Sequence, residues 1–291
     1  MVIIGENIHI LSKKVSEALS NKDAKVIQEM AKAQAEAGVD YIDLNIGPAR
    51  KNPDIMAWLV ETVQEVVDLP LSLDSTNPQA VEAGLKVAKW PPLINSASGR
   101  TDSKEQMLPL ATKYKCDVVI SVLNDQGIPA DAEARAESIM DTVTYANELG
   151  IENERIWVDP IIMPVSVDQK AVMEAMEFTK MLQDLLPGVK STVGLSNVSN
   201  GTPKELRGIL NRTYLVMLQK CGLYSAIADA FDQELMDLVK GRAPEIVELI
   251  HKVMDGEDID ADSLPPKERD YVKTAKVLMG ESLYSHTWLE L

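Results

Sequence analysis

Hydrophobic runs of β character recur along the chain, and each ends in an amide or a carboxylate. Ile3-Ile4-Gly5-Glu6 comes first, followed by Tyr41-Ile42-Asp43-Leu44-Asn45, Leu71-Ser72-Leu73-Asp74 and Pro92-Leu93-Ile94-Asn95. Val119-Ile120-Ser121-Val122-Leu123-Asn124, Ile156-Trp157-Val158-Asp159, Val193-Gly194-Leu195-Ser196-Asn197 and Ala226-Ile227-Ala228-Asp229 complete the series. The runs predict strands near 2–8, 41–46, 70–74, 91–96, 117–123, 156–161, 191–196 and 224–229. Apolar residues at helical spacing lie between them, such as Val26, Met30, Ala33 and Ala37, then Ile55, Leu59, Val63 and Val67. Asn77-Pro78 and Thr202-Pro203 read as helix starts, and Gly38, Gly150 and Gly222 as helix ends. Regular strand–helix alternation with a polar residue at each strand's C-terminal end predicts an α/β fold, a (β/α)8 barrel of the TIM type.

The rhythm breaks after the eighth helix. Asp255-Gly256-Glu257-Asp258-Ile259-Asp260-Ala261-Asp262 is acidic and turn-forming, and Pro265-Pro266 opens a further helix over 267–280. The expected division is a barrel over 1–255 and a short C-terminal helical extension over 256–291, capping the barrel bottom or supporting a subunit contact.

At 291 residues the chain accommodates one such barrel of roughly 250 residues. A formal charge of −16 opposes nucleic acid and anionic membrane as partners. The first strand begins at once, with no signal peptide expected, and no apolar run approaches the roughly 20 residues of a membrane helix. The expected location is therefore cytoplasmic. Cys116 and Cys221 lie at the ends of elements away from the polar strand ends and read as small buried residues. His9, His251 and His286 have no metal-ligand spacing, and only His9 lies near a strand's polar end. No metal site is expected.

The strand-end residues carry the candidate chemistry. They are rich in Asp and Asn and lack Lys, which suits a neutral polar heterocycle better than a phosphate. A carboxylate such as Asp74 or Asp159 accepts paired N–H bonds from an aminopyrimidinone edge, and an amide such as Asn95 serves an adjacent carbonyl and ring nitrogen. Each residue also has a plain structural reading, since Asp caps helices and Asn ties loops together.

Taken together, Tyr41-Ile42-Asp43-Leu44-Asn45-Ile46-Gly47-Pro48, Leu73-Asp74-Ser75-Thr76, Ile94-Asn95-Ser96, Asp159-Pro160 and Gly194-Leu195-Ser196-Asn197-Val198-Ser199 resemble the methyltetrahydrofolate:corrinoid methyltransferases, of the pterin-binding barrel superfamily. The resemblance spans roughly residues 1–240. It implies methyl transfer between N5 of methyltetrahydrofolate and the cobalt of a corrinoid (cobalamin) carried by a partner protein, in either direction. It also implies a homodimer. Asp74, Asn95 and Asp159 would bind the pterin, Asn197 would lie near N5 as the catalytic residue, and Arg207 would meet the anionic side of the folate. Asn200 stands where the corrinoid iron–sulfur protein methyltransferases of acetogens, which this chain resembles within that family, have glutamine, a shorter reach toward the same substrate. Glu6, Asp43, Asn45, Asn124 and Asp229 are left with supporting or unassigned roles.

Two other readings compete. A dihydropteroate synthase would want a Ser-x-Arg-Pro-Gly-like loop after an early strand, where this chain has Asn45-Ile46-Gly47-Pro48-Ala49-Arg50. A non-catalytic folate-binding subunit would have no use for a group at N5.

Overall fold

The computed structural model describes residues 1–49 and 52–290; Arg50, quoted above, lies outside the described residues. Eight parallel strands form one sheet: β1 (Val2–His9), β2 (Tyr41–Asn45), β3 (Leu71–Asp74), β4 (Leu93–Ser98), β5 (Val118–Ser121), β6 (Ile156–Asp159), β7 (Lys190–Ser191) and β8 (Ser225–Ala228). Each strand neighbours the next, β8 returns to β1, and a parallel bridge between Gly194 and Ile227 joins the two ends into a barrel. The helices are α1 (Lys13–Asn21), α2 (Ala24–Ala37), α3 (Ile55–Gln64), α4 (Pro78–Val87), α5 (Thr101–Tyr114), α6 (Ala132–Glu148), α7 (Gln169–Leu185), α8 (Lys204–Lys220), α9 (Gln233–Val239), α10 (Pro244–Met254) and α11 (Pro266–Leu278).

Strand parity sorts the side chains. Ile3, Ile42, Leu44, Leu73, Ile94, Val118, Ile120 and Val158 point outward into the apolar layer between sheet and helices. The alternate residues fill the barrel. Ile4, Leu93, Val119 and Trp157 form a separate buried cluster, with Val2, Tyr41 and Ile227 packed against it. Trp157 donates its indole N–H to Asp117 at 2.9 Å and meets the rings of Tyr41 and Tyr224 edge-on at 5.6 and 5.2 Å. Lys190 sits 5.0 Å above the Trp157 ring and 3.1 Å from Asp117. The floor of the barrel is thus closed, and inward residues further along each strand open on the C-terminal mouth.

Asn77 caps α4 through Gln79 N–H at 3.0 Å, with Pro78 in the first turn, and Gly38, Gly150 and Gly222 all adopt positive φ at helix ends. Other expectations need correction. The regular strand β7 ends at Ser191, pairing goes on only as the isolated bridge at Gly194, and Leu195–Ser199 wind into a 3-10 turn that takes the last two residues of the expected strand. Local bonds compete with the sheet here: Asn197 N–H reaches Gly194 O at 3.2 Å, and Ser199 Oγ reaches Ser196 O at 3.2 Å. Thr202 does not cap α8; its hydroxyl pairs with Tyr284 at 2.7 Å. The buried line of α2 runs through Ile27, Ala31 and Gln34, one position along from the half-buried Val26, Met30, Ala33 and Ala37, because a core-facing stripe is wider than a single row. Val67 falls beyond the end of α3.

The C-terminal segment lies along the outside of α7 and α8, not beneath the barrel. The apolar faces of α10 and α11 bury Ile246, Ile250, Tyr271, Val272 and Leu278, largely against α8 and each other. Gln169, at the start of α7, donates to Val277 O and Ser282 O at 2.6 and 2.7 Å, so the tail reaches the mouth side of the barrel.

Trp157 is the largest buried side chain inside the barrel, so Trp157→Ala leaves a cavity there. Urea denaturation is expected to show a loss of about 3–5 kcal/mol, against less than about 0.5 kcal/mol for Trp90→Ala at an exposed site. Similar midpoints for the two variants would show that the floor does not support the barrel.

Candidate active site

The last inward positions of the strands converge on the mouth: Glu6 from β1, Asp43 and Asn45 from β2, Asp74 from β3, Asn95 from β4 and Asp159 from β6. Asp229 follows β8, and Ser196 and Asn197 project from the turn after β7. Two strands depart from regular pairing here. Between Gly5 and Ile8 three steps of β1 match two of β2, and β4 shifts against β5 between Ile94 and Ala97. Such bulges re-aim side chains at a barrel rim. The Asn95–Ser96 peptide bond is cis.

Asp43 is the hub of the β2–β4 side. It is buried and accepts bonds from Ser72 Oγ at 2.6 Å and Asn95 Nδ2 at 3.2 Å, while Asn45 Nδ2 donates to Asp74. Burial, then the neighbouring Asp74 charge, push Asp43 well above the usual carboxylate range, and Ser72 and Asn95 oppose this. Burial raises Asp74 to about 6 against the bonds from Asn45 and Asp43. The two neighbouring carboxyls therefore titrate together, burial holding both above the ordinary carboxylate range. Asn45 Oδ1 also accepts Gly47 N–H at 3.1 Å, which fixes the amide that steadies Asp74.

Asp159 stands across the mouth. Burial pushes it up to about 6, opposed by the Ile161 N–H that it accepts at 2.8 Å and by the charge of Arg135. Ile161 has φ of 58°, a rare left-handed position for a β-branched residue, directly beside the site. Arg135 is fully buried beneath this loop, donates Nε to Pro160 O at 3.1 Å, and among the described residues has no partner for its two terminal nitrogens.

On the β7–β1 side, Ser196 Oγ donates to Glu6 Oε1 at 2.6 Å. Burial pushes Glu6 up to about 7, with the Ser196 bond opposing and the charges of Asp229 and Asp43 adding to the rise. Arg207, in the first turn of α8, donates Nε to Ser199 Oγ at 3.1 Å and Nη2 to Asn200 Oδ1 at 3.3 Å and Ser196 O at 3.5 Å. Asn200 Nδ2 in turn donates to Asn197 Oδ1 at 3.3 Å. One guanidinium thus fastens the whole turn, and Asn197 stays exposed on top of it.

Of the residues singled out from sequence, Asp74, Asn95 and Asp159 share the recessed mouth, whereas Asn197, Asn200 and Arg207 share its β7–α8 edge. Asn45 and Asp43 support Asp74 and Asn95, and Asp229 accepts from Asn7 Nδ2 at 2.7 Å. Asn124 belongs to a separate turn, bonding Ser138 Oγ at 3.3 Å and pairing with Gly127. His9 Nδ1 accepts the Leu11 N–H at 3.0 Å, tying off its own turn. Sequence reasoning missed the Glu6–Ser196 pair, although two adjacent polar residues between Ile4 and Ile8 already break the strand's parity. It also missed Arg135, for which no pattern gives a signal. Among the described residues, no group of three or more His, Cys, Asp or Glu side chains is arranged to hold a metal ion.

A carboxylate rim around buried amides, floored by aromatic rings, is suited to a flat heterocycle that presents N–H donors. Comparison with known proteins agrees. Residues 11–229 match the family model described as pterin binding enzyme. The chain is 31% identical over 245 residues to the methylcorrinoid:tetrahydrofolate methyltransferase of Eubacterium limosum, covering 82% of this chain and 89% of that protein. It is 27% identical over 281 residues to the methionine synthase of Mycobacterium leprae, spanning 87% of this chain but only 23% of that protein's length. In fold it is similar to the dihydropteroate synthases of Yersinia pestis, with a TM-score of 0.61 at 17% identity, 84% of this chain and 94% of that one covered, and of Coxiella burnetii, with 0.62 at 14%, 83% and 92% covered. The matched family model and the identity over most of the chain establish that this protein belongs to the pterin-binding enzymes.

Proposed function

We propose that the protein transfers a methyl group between N5 of tetrahydrofolate and the cobalt of a corrinoid carried by a partner protein. The carrying observation is the division of the site into a recessed carboxylate–amide mouth and an exposed Asn197 at its edge. The similarity to the E. limosum enzyme supports the same reading and favours the direction from methylcorrinoid to tetrahydrofolate. Dihydropteroate synthase is less well supported, because those structures share the fold at 14–17% identity.

In this reading Asp74 and Asp159 accept the 2-amino and ring N–H donors of the pterin, and Asn95 serves its carbonyl. Arg207 supplies the positive charge on the anionic side of the folate while fastening the turn, and Asn200 steadies Asn197. The corrinoid supplies the cobalt that gives or takes the methyl group. Asn197 has no proton to give at ordinary pH, so it acts electrostatically, its carbonyl oxygen stabilising the N5-protonated folate. A homodimer in the cytoplasm belongs to the same proposal, its mass checked by sedimentation.

Methyl exchange between methyltetrahydrofolate and free cob(I)alamin tests the function directly. Asn197→Ala is expected to lower turnover about 10²–10³-fold with an unchanged melting temperature; wild-type turnover in that variant would remove Asn197 from the chemistry.

Asp74 and Asp159 bind pterin donors only when ionised, so folate affinity is expected to rise as pH climbs through 6 and to fall below it. Stability runs the other way. Unfolded carboxyls titrate near pH ~3.9, so between there and about 6 the folded state binds more protons and loses stability as pH rises. Asp159→Asn keeps an acceptor for Ile161 N–H and removes that penalty. It is expected to melt several degrees higher than wild type at neutral pH, with a smaller difference near pH ~4, while folate affinity drops at least about tenfold. Melting scans and isothermal titration check both, and a variant less stable than wild type at neutral pH would contradict the assigned protonation.

A further inference from the structure

Glu6 is unlike the other carboxyls of the mouth in how the fold delivers it. Gly5 pairs with Ile42 and Ile8 with Leu44, both outward positions, so Glu6 and Asn7 together oppose the single inward Asp43. The bulge is built in. A Cβ on Gly5 would stand 2.2 Å from Gln34 Oε1, and that same fully buried amide oxygen accepts the Asn7 N–H at 3.2 Å. Asn7 then holds Asp229 and the Ala230 N–H, at 2.7 and 3.1 Å. The result turns Glu6 away from Asp74, Asn95 and Asp159 and toward the turn that carries Asn197, where Ser196 Oγ meets it at 2.6 Å.

We propose that Glu6 and Ser196 form the proton reservoir of the reaction, with Ser196 Oγ passing a proton between the Glu6 carboxyl and N5 of the folate. This rests on the methyl-transfer reading. Toward the corrinoid, the N5–CH3 bond breaks, its electron pair stays on N5, and the methyl joins cobalt(I), which becomes methylcobalt(III). N5 then needs the proton that Glu6 gives up through Ser196. In reverse, N5 attacks the methyl group, the Co–C electron pair stays on cobalt, and the proton leaving the N5 ammonium passes through Ser196 to the Glu6 carboxylate. No further oxidant or reductant enters.

The surroundings suit a group that changes protonation during turnover. Asp43 from β2 and Asp229 after β8 raise the Glu6 carboxyl, Arg207 from α8 and the Ser196 hydroxyl lower it, and burial leaves it titrating at about 7. An acid near the working pH is the most effective proton donor and acceptor. Asn197 lacks this capacity, so the two residues divide the work at N5: Asn197 for charge, Glu6 for the proton.

The test is the pH profile of methyl exchange with free cob(I)alamin in wild type, Glu6→Gln and Ser196→Ala. Both variants are expected to lose about 10²-fold in turnover and to lose the pH dependence near 7, while binding methyltetrahydrofolate within about twofold of wild type by titration calorimetry. Glutamine at position 6 still accepts the Ser196 bond, so a purely structural role predicts an unchanged profile, and that result overturns the inference. If Glu6→Gln does not fold, Ser196→Ala decides alone, because it removes the relay atom and leaves the carboxyl: a retained pH limb overturns the inference and a lost one supports it. Wild type that exchanges no methyl overturns the functional reading itself, and this inference with it.

Discussion

The site depends on enclosing several carboxyl groups in one barrel mouth with few cations among the described residues to balance them. Moving a carboxylate out of water is costly, and a buried acid without a cation takes up a proton instead. Asp43, Asp74, Asp159 and Glu6 all shift upward for this reason, while Ser72 and Asn95 donate to Asp43, Asn45 to Asp74 and Ser196 to Glu6. Among the described residues, Arg207 and Arg135 are the guanidiniums whose charges act on these carboxyls, and their side-chain bonds go to Ser199, Asn200 and backbone carbonyls, not to the carboxyls. The mouth is therefore poised to accept N–H donors, whose arrival lets the acids ionise without a fixed countercharge.

That poise requires a rigid frame, and the inward residues supply it in layers. Apolar side chains around Trp157 close the floor, so the polar layer cannot drain to water on the N-terminal side. Strand parity turns every second residue inward, so two neighbours along a regular strand cannot both face the mouth. The irregularities in β1 and β4 relax that limit, placing Glu6 beside Asn7 and Asn95 before Ser96. In the proposed reaction the extra residues let one side of the mouth hold the heterocycle and the other serve the reacting atom.

How much of this was legible follows from what sequence patterns encode. Eight alternating runs and their polar ends reveal a barrel because strand parity and helix spacing are local properties. Asp74, Asn95 and Asp159 were recognisable since each directly ends a run. The 3-10 turn at Leu195–Ser199 was not, because Ser and Asn bonding to nearby backbone competes with strand pairing on terms that spacing does not show. Asp43 was visible as a residue but not as a hub, for its partners Ser72 and Asn95 come from strands 29 and 52 residues away. Arg135 and Gln34 illustrate the same limit: each sits on a helix, and each serves a strand end that only the folded barrel brings near.

The contrast between buried Asp43 and exposed Asn197 has a further consequence for the proposed reaction. A methyl group moving between two large molecules requires one of them to be held and the other to approach from solvent. The carboxyls and amides of the mouth are buried or half-buried, and the early end of β7 lets the chain turn at its edge. Had β7 continued to position 196 as its hydrophobic run suggests, Asn197 would lie within the sheet wall beside Gly194 and Ile227. Shortening that strand sets Asn197 at the boundary between the buried carboxyls of the mouth and the open solvent side. Arg207 makes the turn firm enough for that position to be useful, through three bonds to residues flanking Asn197. A short strand and a pinned turn thus accomplish what a longer strand could not: an exposed polar group at the edge of the mouth, as the proposed role at N5 requires.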